Sequence, residues 1–196
     1  MLTFISFILE SKTSSEIGDA WHGSPHSFDK FSRGETAHTG QGGAAYGSGV
    51  YISNHRKVAE HYRDMDKTKK GTLYHIKVKA DPGKMMHWDK PVSEQPDHVK
   101  KVLKSTDYDF SKHEDPPARH VFHHLRQSFA ASGASRQESS SLASQHLQDH
   151  GVHGITYEGD TKVKLKNDKP TNHVIFDPKH IEIQHKFDHT GKSIQK

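Results

Sequence analysis

The chain predicts an α+β domain built on short, mainly antiparallel strands, and three observations carry that expectation. β-Branched and aromatic runs recur along it, among them "GVYIS", "NHVIFD" and "HIEIQHKF". Between the runs lie stretches with apolar residues at helical spacing, such as Val58, Ala59, Tyr62 and Met65. The last three strands follow one another closely, which favours antiparallel neighbours over a regular βαβ alternation.

Composition narrows the function classes. At 196 residues the chain is long enough for one domain with a sizeable core and only marginally for two. A hydrophobic fraction of 31% predicts a thin core and long polar loops. The absence of cysteine excludes a disulfide framework, a thiolate nucleophile and a Cys-based zinc site. A net charge of +4 suits an anionic small ligand or partner but is far below that of a dedicated nucleic-acid binder. Nineteen histidines make the charge climb steeply on mild acidification, and most are expected on the surface.

"MLTFISFILESK" has too few apolar residues to span a bilayer and lacks the flanks of a secretory signal. Leu2, Ile5, Ile8 and Leu9 share one helical face. Two uses stand for it, a helix on the domain's own core or a detachable docking tag, so residues 1–18 form an N-terminal amphipathic segment and linker. "DAWHGS" (19–24) reads as a strand, 32–48 as a loop, and "GVYIS" as the next strand. Asn54 is the expected cap of a helix over about 55–66. "TLYHIKVKA" alternates as a half-exposed strand, and Ser93 begins a helix carrying Val99, Val102 and Leu103. Residues 105–140 read as a polar insertion with one helix around "RHVFHHLRQSF". "SSLASQHLQDHG" is a helix stopped by Gly151, and "GITYEG", "NHVIFD" and "HIEIQHKF" close the domain near 187, leaving 188–196 as a tail.

Two stretches carry candidate chemistry. In "WHGS", Gly23 lets a ligand approach the backbone, which can then hold a flat carboxamide while His22 donates to a sugar hydroxyl. An ordinary strand end reads the same way. In "AYGSGVYIS", Gly47 and Gly49 allow a sharp turn and Tyr51 presents its ring to a planar, electron-poor partner, with Ser53 on the same face. A core tyrosine is the alternative. His146, His150 and His153 have a spacing able to grip zinc, but no general base accompanies them and no metal site is expected. The runs "DMDKTKKG" and "DTKVKLKNDK" read as solvated loops.

Taken in order, "HGSPHSFDKF" (22–31), "AYGSGVYIS" (45–53), "WDKPVSEQP" (88–96), "GITY" (154–157) and "NHVIFD" (172–177) resemble the ADP-ribosyltransferase superfamily. The similarity is to its diphtheria toxin and poly(ADP-ribose) polymerase branch, most of all to phage-associated domains of polyvalent and virion proteins, and it covers residues 19–187. It implies a split β-sandwich with flanking helices that takes NAD⁺ as substrate. His22, Gly23, Ser24, Gly49, Tyr51, Ser53 and Tyr62 would form the NAD⁺ site, with His22 on the ribose and Tyr51 stacked on the nicotinamide. Asn172 stands where the resemblance places a catalytic glutamate, and it carries no charge to offset a developing cation. Glu158 is the first candidate for a substitute carboxylate and Glu35 the second. The implied activity is mono-ADP-ribosyl transfer to a macromolecular target, with host proteins as the implied acceptors and with NAD⁺ glycohydrolysis or a non-catalytic NAD⁺-binding virion module as alternatives. The implied place of action is the host cytoplasm, with virion packaging through the N-terminal segment and no membrane partner.

Overall fold

The computed structural model of the chain describes residues 15–32, 45–68, 70–159, 163, 165 and 169–194. The amphipathic stretch 1–14, Glu35 and most of the lysine-rich run 160–168 lie outside the described residues.

The strands are β1 (Gly18–Ser24), β2 (Val50–Ser53), β3 (Thr72–Val78), β4 (Met85–His87), β5 (Gly154–Glu158), β6 (Thr171–Ile175), β7 (Ile181–Phe187) and β8 (Ser193–Ile194). They form one hydrogen-bonded sheet in the order β4-β5-β6-β2-β1-β3-β7-β8. Only β4 and β5 run parallel; the other neighbours are antiparallel. The α+β class and the antiparallel bias are therefore as expected. The ends of the domain differ. Ile17 donates its N–H to the Ala80 carbonyl, so the sheet is joined before residue 19. The stretch taken as a tail turns back at Asp188, whose carboxylate accepts N–H bonds from Thr190 and Lys192, and its strand β8 pairs with β7.

Among the described residues four α-helices pack with the sheet: α1 (Arg56–Arg63), α2 (Asp97–Lys104), α3 (Ala118–Ala131) and α4 (Arg136–Asp149). His55 caps α1 by accepting from the Lys57 N–H, whereas Asn54 accepts from the Thr171 N–H and ties β2's end to β6. Ser93 sits in a short 3₁₀ turn bonded to Asp115, and α2 starts four residues later. Residues 105–140 hold the expected helix, α3, but that helix has a buried apolar stripe. Ala118, Val121, Phe122 and Leu125 of α3 are buried, and α4 opens within the same stretch on a Ser135/Glu138 capping box. The apolar spacing of α3 is masked in the sequence by the five histidines and arginines interleaved with it.

Two cores result. Val99, Leu103, Phe122 and Leu147 of the helices pack with Ile155 and Val174 of β5 and β6. The second core joins Val50, Ile52 and Ile175 of β2 and β6 to Ala20, Tyr74, Ile76 and Ile183 of β1, β3 and β7. Side chains from both halves of the sheet thus meet in one cluster. The halves are joined by a narrow seam: β1 pairs with β3 along its whole length but with β2 only at Trp21↔Ser53.

Candidate active site

The seam is where the candidate residues gather. Carried two residues past Trp21↔Ser53, the same antiparallel register would set Gly23 opposite Tyr51, but the ladder is not formed there. His22 enters the gap. Its Nδ1 lies 2.7 Å from the Tyr51 carbonyl oxygen, and its ring is enclosed by Phe31 edge-on at 5.1 Å, Tyr74 at 5.9 Å and Phe28 at 6.1 Å. Burial lowers its pKa to about 4, so the imidazole is neutral near pH 7. A carbonyl can only accept, so Nδ1 carries the proton and Nε2 is left as an acceptor. That reverses the expected role: Nε2 is able to accept from a hydroxyl but not to donate to one. Nε2 is buried and has no partner.

Phe28 is itself stacked on Tyr74, with centroids 4.4 Å apart, and donates its N–H to the Tyr74 hydroxyl. Asp29 beside it pairs with the buried Lys186 of β7. The "HGSPHSFDKF" stretch therefore folds back over its own histidine.

Tyr51 leaves β2 on the other face of the sheet, against the helical core, and its ring is half-buried. The hydroxyl donates to the Gly47 carbonyl at 2.7 Å and accepts from the Tyr46 N–H at 3.3 Å, which fixes the ring. Burial pushes its pKa upward, so the phenol stays neutral. His22 and Tyr51 therefore meet through the Tyr51 backbone, and their rings flank the gap from opposite faces.

The glycines have packing roles. A Cβ on Gly23 would lie 1.7 Å from the Ala59 carbonyl oxygen, so α1 occupies the space reserved above for a ligand. Gly47 has φ +96° and seats against Ser144 and Phe122, and Gly49 approaches the backbone of β6. Ser24 and Ser53 are buried, each accepting the N–H of the residue two further on. Tyr62 lies on α1, half-buried, one turn from Val58 and Ala59, which face the sheet.

Asn172 of β6 pairs with Ser53 on one side and Tyr157 on the other, and is 3% exposed. Its Nδ2 donates to the Gly159 carbonyl, and its Oδ1 is buried without a partner. Glu158 is not brought to it. The Tyr157↔Asn172 register and the alternation of β5 put Glu158 on the opposite face, exposed, towards His87 and His173. His173, bonded to Thr156 Oγ1, is also held near pKa 4 by burial.

No known family, curated protein or solved structure matches the chain.

Two features escaped the sequence reading. Tyr46 and Tyr157 stack at 3.8 Å and 7°, with Trp88 edge-on to Tyr46. Both tyrosines lie within the quoted motifs, so the aromatic content was visible there but not the pairing. Arg126 of α3 lies near enough to Tyr51 to favour its phenolate, and nothing in its sequence context marks it. Among the described residues no group of three His, Asp or Glu is arranged to hold a metal, and no helix is long and apolar enough to cross a membrane. His146 and His150 are 4.5 Å apart, with His150 Nδ1 bonded to the His146 carbonyl of their own helix.

Proposed function

We propose that the chain binds NAD⁺ at the gap between β1 and β2 and transfers ADP-ribose from it to a protein target, releasing nicotinamide. The observation that carries this reading is the buried acceptor His22 Nε2, left without a partner at the seam. Leaving such a group unpaired costs about 1–3 kcal/mol. A ribose hydroxyl supplies the donor that His22 Nε2 lacks, and the fixed ring of Tyr51 supplies a stacking face for nicotinamide. The second core, shared by two half-sheets, supports a split β-sandwich of the ADP-ribosyltransferase kind.

In the transfer step a lone pair on the acceptor forms a bond to the ribose C1′. The bond from C1′ to the nicotinamide nitrogen breaks, and its electron pair neutralises the pyridinium. Positioning by His22, Tyr51 and Asn172 lowers the barrier. Asn172 neither removes a proton nor offsets the oxocarbenium charge, so the acceptor brings an already ionised nucleophile. The host cytoplasm as the place of action belongs to this proposal.

A second reading is NAD⁺ binding without turnover, favoured by Glu158 facing away from Asn172. Incubation of the protein with adenylate-labelled NAD⁺ and a bacterial lysate separates the two. Labelled protein bands support transfer, and intact NAD⁺ despite measurable binding supports the second reading. Free ADP-ribose without labelled protein assigns hydrolysis and removes the transferase reading.

A further inference from the structure

Arg126 stands out among the cations. Its Nε is buried with no hydrogen-bond partner, and it forms no ion pair among the described residues. A guanidinium is permanently charged, and a buried unpaired N–H on one is costly, so the arrangement suits an anionic ligand. Its surroundings define the ligand's chemistry. Arg119, His123 and Arg126 follow one another at i, i+4 and i+7 along one stripe of α3. Arg119 is already paired with Asp89. The His123 imidazole packs edge-on to Trp88 at 5.3 Å, and burial first and then Arg126 lower its pKa from the usual imidazole range. Trp88 leads to Tyr46 and its stacked partner Tyr157, and Arg126, one turn on from His123 in the same stripe, is within electrostatic range of Tyr51.

We propose that Arg126 anchors an oxyanion subsite beside Tyr51, and that its occupant is a carboxylate side chain of the protein that receives ADP-ribose. A single unpaired guanidinium with an aromatic wall matches one planar carboxylate, which takes two parallel N–H bonds. A nucleic-acid backbone would call for several free cations along the stripe, and Arg119 is occupied. The inference deepens the transferase reading and rests on it for the identity of the occupant. It also gives Asn172 a context, since a carboxylate held by Arg126 is ionised without a base.

The test is an NMR titration of the full chain, following the arginine Nε–H resonances at constant ionic strength with hexaglutamate, acetate and inorganic phosphate as probes. A saturable shift of the Arg126 resonance with hexaglutamate and acetate is expected. Arg126→Lys should weaken hexaglutamate binding at least tenfold and Arg126→Gln abolish it, with NAD⁺ affinity unchanged in both. No saturable shift, or a shift with phosphate alone, overturns the proposal. The wild-type titration needs no variant to fold. Failure of the wild-type chain to bind NAD⁺ would remove the transferase reading and, with it, the acceptor as occupant, while the oxyanion subsite would still be decided by the shifts.

Discussion

At the scale of single residues the account turns on which nitrogen of His22 carries the proton. The Tyr51 carbonyl selects Nδ1–H and burial keeps the ring neutral, so Nε2 is an acceptor at physiological pH. NAD⁺ affinity should therefore be flat between pH 8 and about 5.5 and fall only as pH approaches about 4, where Nε2 gains a proton and becomes a donor. Calorimetric titrations across that range check this, and a midpoint near 6.5 would mean the ring is solvated. For Tyr51, replacement by Phe keeps the platform but removes the hydroxyl's bonds to the Gly47 carbonyl and the Tyr46 N–H. It should cost about 1 kcal/mol in chemical denaturation while retaining NAD⁺ binding, whereas Tyr51→Ala should lose most affinity. At position 172, Glu would turn a carboxylate oxygen towards the Gly159 carbonyl, replacing a donor with an acceptor. Lower thermal stability together with faster nicotinamide release is the expected outcome, read by melting curves and a fluorogenic NAD⁺ analogue.

At the scale of elements, glycine 23 and the hairpin α3–α4 decide where the seam lies. Gly23→Ala drives a methyl group against the Ala59 carbonyl, so α1 must move away from β1. The expected cost is about 3 kcal/mol, or a fall in Tm of roughly 6–12 °C. Gly133→Ala, at φ +99° with open space around it, should cost less and serves as the comparison. The elements around the seam were legible where periodicity was strong: β1, β2, α1, β6 and β7 fall within a few residues of expectation. β4 and β8 are too short to carry an alternation. The misread stretch was 105–140, where polar residues outnumber the one buried stripe of α3, Ala118, Val121, Phe122 and Leu125. The site shows the same division. His22, Tyr51 and Asn172 were picked out by motif, but the direction of the His22 hydrogen bond and the orientation of Glu158 depend on pairing between strands distant in sequence.

At the scale of the whole molecule, histidine burial links stability to acid. His22 and His173 have folded-state pKa values of about 4 against 6.5 when unfolded. Between those values the unfolded chain binds more protons, so stability falls as pH drops from about 6.5 to 4 and is flat below that. The loss is on the order of 3 kcal/mol for each ring, a large share of a domain's stability. Urea denaturation at pH 7.5 and pH 5 should show it, and equal midpoints would mean these rings open to water in the folded state. The same seam that buries His22 is the proposed home of NAD⁺, so ligand and stability are coupled: a ligand that binds the folded state alone raises Tm with its concentration. The most direct test of the central claim is a calorimetric titration of NAD⁺ into the full chain at pH 7.5, repeated with His22→Ala and Tyr51→Ala variants shown to be folded by circular dichroism. The account predicts saturable one-site binding that each substitution weakens at least tenfold; a folded wild-type chain that takes up no NAD⁺, or variants that bind it equally well, would contradict it.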